Sequence, residues 1–442
     1  MLILGNGTLL TLGRECRVIN GGGALIEGSS VKQVGETAAL QAAAPEARFI
    51  DCRGGLIMPG FTCAHTHTYS VFSRGIALKD EPPANFSQVL ERLWWRLDQA
   101  LTLEDVYYSA LVTFIDCLKN GTTALLDHHA SPGATAGSLE QIARAARQTG
   151  IRVNLCYEVS DRDGYEKARE GINENASFIK KCQDENPALL SASLGMHASF
   201  TIGPKTMEAC ARVAHDLNTG VHIHVAESRE DAADCREKYG LSVVERLQQY
   251  NLLGPKTLAA HCVHISKQEM ELLADTGTNV AHNPQSNMNN AVGCAAVKQM
   301  LDSGVMLGMG TDGMTADMLE GLKTAHILHK FCQNDPRAGW SEVPQMQLVN
   351  NPRIMENYFP AKLGELSPGS AADLIVIDYD PPTPLTAENY YSHLVFGVAG
   401  CSVVTTVADG KILMHDRKLT AIDEKEVNAR ARELAEKMWE RF

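Results

Sequence analysis

Two histidines one residue apart, His65 and His67, close the apolar run Met58-Pro59-Gly60-Phe61-Thr62-Cys63-Ala64. On an extended strand, residues i and i+2 face the same side, so the two imidazoles aim at one point. A divalent ion needs convergent neutral donors of this kind. A solvated pair or a core-packed pair has the same sequence, so the rest of the chain must discriminate.

Other apolar runs end in the same way. Leu189–Met196 is followed by His197. Val221–Ala226 carries His222 and His224 and leads to Glu227. Thr257–Val263 carries His261 and leads to His264. Thr278–Ala281 leads to His282, and Val305–Gly310 leads to Thr311-Asp312-Gly313. The chain has 15 histidines in 442 residues, and eight of them sit in these tails. A buried histidine must find a partner for each ring nitrogen, so packing alone accounts poorly for the clustering. Three imidazoles and one carboxylate leave a coordination position open for water. We assign His65, His67, His224 and Asp312 as ligands of a divalent ion. Strand parity puts His222 on the same face as His224 but one pleat deeper, which suits a histidine packed inside the fold. Glu227 follows just past the strand end, where it can turn back to the water as general acid and base. The competing reading of Glu227 is a carboxylate at a helix N-terminus. His261 lies at the same height on the next strand, close enough to stabilise a developing oxyanion.

Eight strand-type runs can position this set: Leu56–Ala64, Thr122–Leu126, Ile151–Val159, Leu189–Met196, Val221–Ala226, Thr257–Val263, Thr278–Ala281 and Val305–Gly310. Amphipathic helical patterns separate them. Nearly continuous aliphatic runs suit strands buried on both faces, and eight βα units predict an α/β fold, a (β/α)8 TIM barrel over residues 58–351. In such a barrel the chemistry sits at the C-terminal strand ends. A doubly wound sheet is the alternative, but no Gly-X-Gly-X-X-Gly follows the first strand. Residues 1–57 read as short strands cut by glycine turns, and residues 352–442 return to β character with an Asp409-Gly410 hairpin signal. Together they predict a small composite β-sandwich. Glu424–Phe442 reads as a charged amphipathic helix.

A net charge of −13 argues against a nucleic-acid partner, which requires a basic surface. No apolar stretch approaches a membrane span. The N-terminus has no secretory pattern, and the 12 cysteines are scattered, so a reducing cytoplasm is expected.

His65-Thr66-His67 after Pro59-Gly60, His224-Val225-Ala226-Glu227, Ala260-His261-Cys262-Val263-His264, His282-Asn283-Pro284-Gln285-Ser286-Asn287 and Gly310-Thr311-Asp312-Gly313 strongly resemble the amidohydrolase superfamily. More narrowly, the chain resembles its aminohydrolase branch, with guanine deaminase, adenosylhomocysteine deaminase and the triazine hydrolases, and over its whole length the SsnA-type aminohydrolases. The resemblance implies one zinc ion, with iron as the alternative, held by His65, His67, His224 and Asp312. It implies Glu227 and His261 as proton-transfer and stabilising residues, with Asp312 a further relay, and His197 as a substrate contact. Leu194-Gly195-Met196-His197-Ala198-Ser199 lacks the lysine of binuclear branches, which favours a single ion. Loops 69–98 and 128–137 depart from the better-known deaminases, but Arg74 remains and His128-His129 is particular to this group; we expect Arg74 and His128 to contact substrate. The expected reaction is deamination of a purine-like or other N-heterocyclic small molecule by a homodimer. The alternatives are cleavage of C–Cl or a cyclic amide on the same site, and a non-catalytic assembly or regulatory homologue.

Overall fold

The computed structural model describes all 442 residues. Eight parallel strands form the barrel: β1 (Phe61–Thr66), β2 (Thr122–Asp127), β3 (Arg152–Leu155), β4 (Leu190–Ala192 continuing as Leu194–Ala198), β5 (Val221–Val225), β6 (Leu258–His261), β7 (Asn279–His282) and β8 (Met306–Met309). Their residues are buried almost throughout, as strands covered on both faces require. The ladder runs as two parallel arcs, β1 to the first piece of β4 and the second piece of β4 to β8. Two seams join the arcs. Beside β4, a parallel bridge links Val159 to Met196. Between β8 and β1, Thr66 bridges Asp312, and the amides of Thr311 and Asp312 both donate to the carbonyl of His65, at 2.9 and 3.0 Å.

The β8–β1 seam is pinned from below by Asn351, whose amide nitrogen donates to the carbonyls of Thr62 (2.7 Å) and Met309 (2.8 Å). Its Oδ1 accepts from the Met309 amide (2.7 Å). Asn351 is fully buried, and the helical segment Asn351–Met355, continuous with the π-helical turn Gln345–Asn350 before it, packs under the barrel.

The run Leu56–Ala64 is two strands, because Gly60 lies against the Thr123 side chain with no room for a Cβ and the chain turns there. Leu56–Pro59 belongs to the outer sheet. It pairs with Leu2–Leu10 on one side and antiparallel with Leu374–Ile377 on the other, Pro59 opposite Leu374 and Leu56 opposite Ile377. Strands from both chain ends thus join edge to edge in one hydrogen-bonded sheet of nine strands. A core of Leu4, Leu9, Ile26, Ile57, Leu374 and Val376 forms along it.

The last helix, Glu424–Arg441, leaves this sheet and packs on the barrel helix Leu103–Lys119. Arg441 pairs with Asp105 at 2.5 Å, and Trp439 Nε1 donates to the carbonyl of Phe72 at 2.8 Å. The C-terminus thereby braces the short helical segment Thr68–Ser73, which directly follows His67. No helix is long and apolar enough to cross a membrane.

Candidate active site

The C-terminal ends of β1, β5, β6 and β8 converge. His67 Nε2 lies 3.2 Å from His224 Nε2 and 3.2 Å from Asp312 Oδ1, and His65 Nε2 lies 3.9 Å from the same carboxylate oxygen. The Nδ1 sides are all engaged. His67 Nδ1 donates to the carbonyl of His128, His224 Nδ1 to that of His197 (2.9 Å), and His65 Nδ1 meets His222 Nε2 at 2.8 Å. A carbonyl can only accept, so Nδ1 carries a proton in His67 and His224 and Nε2 is the nitrogen turned to the shared centre. Partners of this kind fix the tautomer and ring orientation of metal-binding histidines.

The donor set fits a metal ion. His65 Nε2 is buried with no hydrogen-bond partner, and the donor atoms of His65, His67 and His224 lie within 4.8 Å of one another. Burial opposes a charge on His67 while the neighbouring Asp312 carboxylate favours one, so an ion binding at Nε2 would displace a proton there. Burial and the surrounding histidines hold His65 well below the usual imidazole range.

Glu227 and His261 adjoin this cluster. His261 Nε2 stands 3.5 Å from both Glu227 Oε2 and Asp312 Oδ2, and His261 Nδ1 donates to Asn287 Oδ1 at 2.9 Å. Burial and the Asp312 charge push Glu227 well above the usual carboxylate range, which suits a group that both takes and returns a proton. The backbone is forced here. Ala226, His261, Cys262 and Asp312 all adopt positive φ, at 45°, 73°, 50° and 54°. Left-handed non-glycine residues cost on the order of 1 kcal/mol each and gather where a site over-determines the chain. Gly310 makes the close approach possible, since a Cβ there would sit 2.6 Å from the His65 carbonyl.

A cavity opens above the cluster. Tyr69, Phe86, Trp94, Trp95 and Phe200 give it aromatic walls. Trp94 and Trp95 both line it, although neighbouring residues of a regular helix diverge by about 100°. The segment Leu90–Trp94 is a π-turn, which swings the two rings onto one side.

His197 lies in the cavity wall, with its Nδ1 donating to Thr201 Oγ1 at 2.7 Å. Two expected substrate contacts are elsewhere. Arg74 is half-exposed and pairs with Asp116 at 2.7 Å, because the turn after Ser73 carries it toward the helix Leu103–Lys119 and away from the opening. His128 is fully buried behind His67 and His224, where its Nε2 donates to the carbonyl of His222 at 3.0 Å; it orients the histidine cluster instead of facing the cavity. The sequence reading missed Glu158 and Asp98, both cavity residues. Glu158 had a signal, a lone carboxylate inside the apolar run Ile151–Val159.

Residues 56–413 match the amidohydrolase family. The chain belongs to the amidohydrolase family. The 5'-deoxyadenosine deaminase of Methanosarcina mazei is 31% identical over 442 residues, covering 99% of this chain and 98% of that protein. The 5-methylthioadenosine/S-adenosylhomocysteine deaminase of Desulforudis audaxviator is 31% identical over 426 residues, 95% of each chain. The fold matches that of a zinc-bound adenosine deaminase from Xanthomonas campestris, with TM-score 0.87 and 23% identity over 99% of this chain and 98% of that one. This amidohydrolase is thus a member of an enzyme family whose relatives are deaminases, hydrolases acting on C–N bonds, and it carries a histidine-rich cluster that could hold a metal ion.

Proposed function

We propose that this amidohydrolase removes the exocyclic amine of an adenine-type ring, using one zinc ion held by His65, His67, His224 and Asp312. The observation that carries the reading is the placement of Glu227 and His261 side by side at the cavity floor, against a cluster of histidines whose Nε2 atoms converge. An ion bound there would supply the Lewis acidity that brings the pKa of water from about 15.7 toward about 7. Glu227 takes the proton of the attacking water and returns it to the ring nitrogen. His261 steadies the oxygen of the tetrahedral intermediate, and its contact with Asp312 Oδ2 gives a route for a proton to the departing ammonia. His197 contacts the ring from the wall. The aromatic walls suit a flat heterocycle.

The deaminase activity of the relatives at 31% identity favours amine loss over loss of chloride or opening of a cyclic amide. A non-catalytic homologue is disfavoured because no ligand or proton carrier is missing. We also assign a homodimer. Phe331, Phe396 and Ile327 are 84%, 64% and 54% exposed on adjoining elements, an apolar patch of the kind that marks an interface. All twelve cysteines are unpaired, which supports a cytoplasmic setting. The test is ammonia release from 5'-deoxyadenosine and 5'-methylthioadenosine by zinc-loaded protein. No release from either would overturn the adenine assignment.

A further inference from the structure

The charged groups lining the cavity are all acidic: Asp98, Glu158, Glu227, Asp231 and Asp312, with no lysine or arginine. Three of these have an assigned partner or role. Asp312 faces the histidine cluster, Glu227 faces His261, and Asp98 is gripped by Arg162. Asp231 accepts from the backbone amides of Ala226 and Phe200, at 2.8 and 3.2 Å, and so holds the turn after β5.

Glu158 differs. It follows β3, is buried, and faces two ring nitrogens, His128 Nδ1 at 3.3 Å from Oε2 and His197 Nε2 at 3.5 Å from Oε1. The other nitrogen of each ring already donates, His128 Nε2 to the carbonyl of His222 and His197 Nδ1 to Thr201 Oγ1, whose own hydroxyl donates to the carbonyl of Ala198. Each ring thus turns its remaining nitrogen toward the carboxylate. Glu158 Oε2 and His128 Nδ1 are both buried with no hydrogen-bond partner. A buried carboxylate oxygen with no hydrogen bond is costly, and the open side of Glu158 is the cavity.

We propose that Glu158 is the specificity-determining residue of this cavity, accepting a hydrogen bond from an N–H donor edge of the bound molecule. The site would then take amidine-like heterocycles, uncharged or cationic, and reject molecules carrying a carboxylate or phosphate. The proposal rests on reading this cavity as the substrate site.

The test is equilibrium binding of benzamidine and of its neutral isostere benzamide to zinc-loaded protein, without turnover. A charge-assisted bond to a carboxylate predicts benzamidine about tenfold tighter. Glu158→Gln should bring the two within about twofold, while Glu158→Asp keeps the preference in part. Equal affinities in the natural protein, no benzamidine binding, or a preference that survives Glu158→Gln would each overturn the proposal. Ammonia release on the same sample reads separately: deamination with no amidine preference overturns only the Glu158 assignment, and a preference without deamination overturns only the deaminase reading.

Discussion

His222 Nε2 meets His65 Nδ1 at 2.8 Å, one pleat below His224 in the barrel. For His65 Nε2 to bind a cation, His65 Nδ1 must hold the proton and His222 Nε2 must accept it. The proton of His222 then sits on Nδ1, which faces Cys156 Sγ at 3.7 Å, and the Cys156 thiol lies 3.3 Å from the carbonyl of Asp127. One ordered chain of donors thus runs from the ligand layer to the barrel interior. His222→Phe keeps the volume and removes the acceptor. We expect the barrel to stay folded and zinc affinity, measured by chelator competition, to fall about 10- to 100-fold. Unchanged affinity would show that His65 is not oriented from below.

Asn351 supplies three buried hydrogen bonds across the β8–β1 seam. Asn351→Ala leaves the carbonyls of Thr62 and Met309 and the Met309 amide without those partners. Each buried unsatisfied group costs roughly 1–3 kcal/mol, so the variant should unfold at a clearly lower denaturant midpoint. Because the seam also sets the distance between His65 and Asp312, zinc affinity should fall with it. A variant with native stability would mean that the seam is held elsewhere.

Burial keeps His329 and His129 neutral, with pKa values lowered to about 4 and about 3. Both would titrate near 6.5 in the unfolded chain. The unfolded chain therefore binds more protons below that pH, so their contribution to stability is complete above about 6.5 and is lost as the pH falls toward 4. Between pH 7.5 and 5.5 each should remove on the order of 1 kcal/mol. His329→Asn should make the pH dependence of the urea midpoint shallower. An equally steep dependence in the variant would exclude His329 as a contributor.

The barrel and the histidine tails were legible because both depend on local periodicity. Strand parity is enough to place His65 with His67 and to set His222 below His224. What stayed hidden depends on long-range geometry or on irregular backbone. Arg74 is taken up by Asp116, 42 residues away on a helix whose packing no local pattern specifies. The shared orientation of Trp94 and Trp95 comes from a π-turn, which has no strong local signal. Glu158 falls inside an apolar run, and the local pattern does not show that its side chain reaches the cavity.

The central claim is that Glu227 carries the proton while the histidine cluster holds the ion. Glu227→Gln tests it most directly, with turnover of 5'-deoxyadenosine and zinc content measured on the same preparation. The predicted result is kcat reduced about 10²- to 10⁴-fold with zinc retained at the natural level. Near-natural turnover by the zinc-loaded variant would contradict the account.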